Sequence, residues 1–88
     1  MIQEAVADYI REKLGIAPDL RQVYDDFVTI GVGRYVFNVW PECVSFAEWT
    51  KKFSSVKRRL DFELCDPTFI DKLDKAIEEV KIQTKGNK

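Results

Sequence analysis

Eighty-eight residues, 45% of them apolar and 33% charged, suit one folded domain: too short for two, and too hydrophobic for a disordered segment. Fourteen basic against fifteen acidic side chains leave a net charge of −1, which excludes a global electrostatic pull toward nucleic acid or an anionic membrane. Histidine is absent, and with it go Ser–His and Cys–His nucleophile pairs, the usual zinc sites and the side chain best suited to proton transfer near neutral pH.

The chain opens on an amphipathic pattern. Ile2, Ala5, Val6, Tyr9, Ile10 and Leu14 recur at three- and four-residue spacing, with Gln3, Glu4, Asp8, Arg11 and Glu12 between them, which predicts a helix. Early acids and the lack of an apolar run argue against a signal peptide. Gly15 is placed for a left-handed helix cap, and Pro18 blocks continuation. Residues 19–26 read as a loop. Its adjacent acids, Asp25 and Asp26, read as a solvated turn, because neighbours on an extended chain point to opposite sides.

Phe27 to Ile30 and Tyr35 to Trp40 are rich in β-branched and aromatic residues and read as two strands. A two-residue turn at Gly33-Arg34 would pair Val32 with Tyr35, Ile30 with Phe37 and Val28 with Val39. Phe27, Thr29, Val36, Asn38 and Trp40 then share the other face. Pro41 ends the second strand. Ser45-Phe46-Ala47-Glu48 matches a capping box, and Phe46, Trp49, Phe53, Val56 and Leu60 follow at helical spacing, predicting a second helix with that stripe in the core. Leu60 to Leu64 alternates and reads as a short third strand or an extended connector. Asp66-Pro67 is a helix start signal, followed by the stripe Phe69, Ile70, Leu73, Ala76, Ile77 and Val80.

The predicted architecture is α+β: a single small domain over residues 1–83, in the order α-β-β-α-(β)-α, with an antiparallel β-hairpin packed on amphipathic helices. Residues 84–88 form a polar tail expected to fray. The order resembles the start of a double-stranded-RNA-binding domain. That domain, however, carries a lysine cluster where this chain has Asp66-Pro67-Thr68, so its function is not implied.

For function, the missing groups weigh first. Cys43 and Cys65 are too few for a disulfide framework and read as reduced thiols in a cytoplasmic setting. Gly31-Val32-Gly33 lacks the third glycine and the following helix of a dinucleotide fingerprint. No catalytic, cofactor or metal residues are expected, and no membrane partner.

What remains is surface. Phe27, Val36 and Trp40 form an apolar patch on the far side of the hairpin. Lys51, Lys52, Arg58 and Arg59 line the polar side of the second predicted helix. These seven residues are the expected partner-binding set of a small non-enzymatic protein-binding module: an adaptor, an inhibitor or one half of a homodimer. The runner-up is a nucleic-acid-binding accessory protein using the basic segment 51–59. The third reading is a small enzyme built on carboxylates.

Overall fold

The computed structural model describes residues 2–50, 52 and 54–86. Helix α1 (Ile2–Leu14) leads into strands β1 (Leu20–Val23), β2 (Val28–Val32), β3 (Tyr35–Val39), β4 (Cys43–Trp49) and β5 (Val56–Glu63). Helix α2 (Phe69–Gly86) follows them. The strands form one antiparallel sheet in simple chain order, β1-β2-β3-β4-β5. The α+β class stands, with two helices and five strands among the described residues.

The central hairpin has the expected register: Val32 faces Tyr35, Ile30 faces Phe37 and Val28 faces Val39. Gly33 supplies the positive φ of 58° that a two-residue turn needs.

Two expectations fail. Leu20–Val23 is a strand, not a loop, pairing with Val28–Gly31. And the helix predicted from Ser45 does not exist: the segment is the β4–β5 hairpin. Ser45 and Glu48 cap nothing; they lie on opposite faces of β4, opposite Asn38 and Tyr35 of β3. Thr50 closes the hairpin instead. Its Oγ1 accepts from the Ser54 amide at 3.2 Å and the Ser55 amide at 3.4 Å, and its own amide donates to the Ser55 carbonyl at 3.0 Å. Of the stripe assigned to the core, Phe46 is buried, Trp49 half-buried, and Val56 and Leu60 exposed. Phe53 lies outside the described residues. One extra residue, Lys57, sits where Glu48 faces Arg58 but Trp49 faces Val56, a β-bulge that ends the regular ladder.

Alternation sorts the sheet into cross-strand rows. The helix side carries Val23–Val28–Val39–Val44–Phe62, then Arg21–Ile30–Phe37–Phe46–Leu60, then Val32–Tyr35–Glu48–Arg58. Over these lie Ala7, Ile10 and Leu14 of α1 and Phe69, Leu73, Ala76, Ile77 and Val80 of α2, all buried in one core. Ile2, Ala5 and Ile70, expected on the inner stripes, face solvent. The helices are joined by a 2.5 Å hydrogen bond from Tyr9 Oη to Asp74. No described helix is long and apolar enough to cross a membrane.

α2 begins at Phe69, three residues past the expected cap, and Asp66 holds the turn that leads into it. Its carboxylate accepts from the Thr68 amide at 2.8 Å and from Lys72 Nζ at 2.6 Å. Lys72, then Thr68, hold its pKa down at about 2, below the ordinary 3.8. A carboxylate lowered in the folded state stabilises it fully above the ordinary value and loses that contribution as pH falls toward the folded one. Asp66→Ala should therefore melt lower than the parent at neutral pH. Thermal melts at decreasing pH should show the gap closing between about pH 4 and pH 2. A gap that stays constant would mean the carboxylate contributes nothing through its charge.

Candidate interaction site: an aromatic row on the uncovered sheet face

The other side of the sheet lies under neither helix. Its first row runs Tyr24–Phe27–Trp40–Cys43–Glu63, fixed by the Tyr24 amide to Phe27 carbonyl and Trp40 amide to Cys43 carbonyl bonds, both 2.8 Å, and by the Cys43–Glu63 pair. The aromatic rings form a continuous stack, with centroids 4.6 Å apart for Tyr24–Phe27 and 4.3 Å for Phe27–Trp40. Tyr24 is exposed; Phe27 and Trp40 are half-buried.

Behind this row the side chains of the three central strands are short, with longer ones on the edge strands. Gln22–Thr29–Asn38–Ser45–Asp61 comes next, with a 2.7 Å hydrogen bond from Thr29 Oγ1 to Asn38. Then comes Leu20–Gly31–Val36–Ala47–Arg59. A Cβ at Gly31 would approach that of Leu20 to 3.3 Å, so Leu20 would have to give by a few tenths of an ångström. The rings thus overlook a floor of short side chains whose centre is itself covered, Thr29, Ser45 and Ala47 being buried, so the accessible part of this face is the ring stack and its margins.

The expected partner set divides. Phe27 and Trp40 are brought together, and Val36 lies two rows away on the same face. The basic residues are not brought together, because on a strand alternate residues point to opposite sides. Arg58 lies on the helix side, paired with Glu79 and, at 3.5 Å, with Glu48, its guanidinium 5.7 Å from the Phe46 ring centroid. Arg59 lies on the open side, 3.3 Å from Asp61. Lys52 is exposed in the β4–β5 turn, and Lys51 lies outside the described residues.

The rim of the aromatic row is instead acidic. Asp25 and Asp26 form the tip of the β1–β2 turn, between Tyr24 and Phe27. Glu42, Asp61 and Glu63 surround Cys43, whose thiol is pushed above its ordinary pKa by burial first and by these carboxylates second. Both cysteines are free. Tyr24 was missed at the sequence level because its place depends on β1. Its signal was the pattern Tyr-Asp-Asp-Phe, two aromatics around a two-residue turn.

A second polar cluster lies on the helix side, in an open cleft of about 470 Å³ lined by Arg34, Tyr35, Glu48, Arg58, Glu79 and others. Within it Arg58 is ion-paired with Glu48 and Glu79, and burial, followed by Glu48 and Glu79, raises the Tyr35 pKa. Among the described residues no group of three or more Cys, Asp or Glu is placed to hold a metal ion. No family model matches the chain, and no curated protein or solved structure matches it either.

Proposed function

We propose that this chain is a protein-binding module whose contact surface is the open sheet face around Trp40. The observation that carries the reading is the three-ring stack of Tyr24, Phe27 and Trp40 on the side of the sheet that neither helix covers. Aromatic side chains in such settings are the usual anchors of protein interfaces, because they bury much apolar area with few rotamers to freeze. The acidic rim favours a partner segment that brings basic residues. It disfavours nucleic acid, as does the separation and pairing of the basic side chains of β5.

The test is capture from lysate by the parent and by Trp40→Ala side by side. Trp40→Ala should keep its fold by far-UV circular dichroism and lose the partner, with affinity falling by about 2 kcal/mol or more. Equal capture by parent and variant, or no partner for the parent, sinks the reading. Steep salt-dependent binding of random RNA or DNA would replace it with the nucleic-acid one.

A further inference from the structure

Strand β5 ends the sheet, and one long side of it pairs with no strand among the described residues. The Leu64 amide donates to the Glu42 carbonyl at 2.9 Å. In an antiparallel ladder hydrogen-bonded positions recur every second residue. Phe62, Leu60 and Arg58 therefore turn their peptide groups toward β4, while Arg59, Asp61 and Glu63 turn theirs to the open edge. A charged edge commonly serves to repel strand addition. Here the charges are ordered: Lys57 and Arg59 precede Leu60, Asp61 and Glu63 follow it.

We infer that two copies of this chain pair through β5, antiparallel, about a two-fold axis at Leu60. In this register Arg59 of each copy faces Asp61 of the other, twice about the axis; Lys57, the bulge residue held by Glu48 at 3.8 Å, lies beyond the regular part of the pairing. The Arg59 and Asp61 peptide groups exchange hydrogen bonds, as the direction of the free edge requires. Neighbouring symmetric registers set like charges together, Arg59 on Arg59 or Asp61 on Asp61. A shift to an odd register would oppose free peptide groups to ones already used.

The side chains on the helix side support the same axis. Leu60 ends the inner row Arg21–Ile30–Phe37–Phe46–Leu60, yet is 42% exposed. Beside it, between β5 and α2, lies an open cleft of about 180 Å³ lined by Leu60, Phe62, Lys72, Ala76 and Glu79, among others. At the axis Leu60 meets its own copy in a non-hydrogen-bonded pair, where side chains come closest, and the apolar row continues across the interface. The contact is isologous and closes as a dimer. Two five-stranded sheets merge into one of ten strands. The pairing lies on the β5 edge, away from the three rings, and shares only Asp61 and Glu63 with the acidic rim beside them; it does not depend on the function proposed for that face.

Sedimentation equilibrium tests the inference. The parent should be dimeric. Arg59→Asp and Asp61→Arg, each placing like charges across the axis twice, should weaken self-association by about a hundredfold. Both sites are exposed, and circular dichroism should show an unchanged fold. The double variant Arg59→Asp/Asp61→Arg should dimerise again. An equimolar mixture of the two single variants should form a mixed dimer, since every cross-strand pair in it is again opposite in charge. A monomeric parent, single variants that dimerise like the parent, or a mixture that stays monomeric would overturn the inference.

Discussion

Phe37→Ala should cost the domain a large share of its stability. Phe37 lies at the centre of the sheet, between Ile30 on β2 and Phe46 on β4, with no exposed surface. Its ring packs on Phe46 with centroids 4.9 Å apart. Removing a buried phenyl ring costs its transfer energy plus the cavity left behind, about 3 to 5 kcal/mol. A domain of this length has about 4 to 13 kcal/mol to lose. Urea unfolding followed by far-UV circular dichroism should show a much lower midpoint with a similar slope. A midpoint near the parent's would mean the core does not centre on this row. Trp49→Ala, which a helical reading of the segment places among core truncations, should cost less. Trp49 is half-buried and follows Glu48 on the opposite side of β4, away from the helices.

The reasons one hairpin was legible and the next was not are physical. In β2 and β3 every inward position is apolar, and the Gly33-Arg34 turn is local, so neighbours in sequence hold all the information. In β4 the inward positions are Val44, Phe46 and Glu48; in β5 they include Arg58, Leu60 and Phe62. One charge in each strand breaks the two-residue alternation. With it broken, Phe46, Trp49, Val56 and Leu60 fall on a helical spacing, and Ser45 with Glu48 imitates a helix start. The two charges face each other across the ladder, so the reason they are tolerated inside appears only once the strands are paired. β1 was hidden differently: an edge strand exposed at all four positions has no inside to impose a pattern.

The binding face was legible in the same partial way. Phe27 and Trp40 follow from the hairpin register, since continuing Val28–Val39 by one pair brings them together. Tyr24 needed β1. The basic residues were misplaced because five cations within nine positions look like one face on a helix, but divide between two faces on a strand. Arg58 went to an internal ion pair and Arg59 to the edge, and the rim that remains beside the aromatic row is acidic.

The Glu48–Arg58 pair, which hid two strands, should also show strong coupling. The Glu48 side chain is 12% exposed, with Arg58 at 3.5 Å and Lys57 at 3.8 Å. Arg58 is 39% exposed and also bonds Glu79, while its Nε is buried without a partner. Removing one member of a buried pair leaves the other's charge uncompensated, at about 3 to 5 kcal/mol when both are fully buried. Arg58 reaches solvent and keeps Glu79, so Glu48→Met should cost about 2 to 3 kcal/mol, the lower part of that range and below. Arg58→Met removes the orphaned Nε but strands Glu48 with only the exposed Lys57, and should cost a similar amount. Glu48→Met/Arg58→Met replaces the pair by two apolar side chains facing each other beside Phe46. Exchanges of that kind are often neutral or stabilising, so the double variant should be more stable than either single one. The cycle should therefore return a coupling of at least about 2 kcal/mol from urea unfolding of the four proteins. Additive losses would mean that solvent screens the two charges from each other and that Glu79 alone holds Arg58 against the sheet.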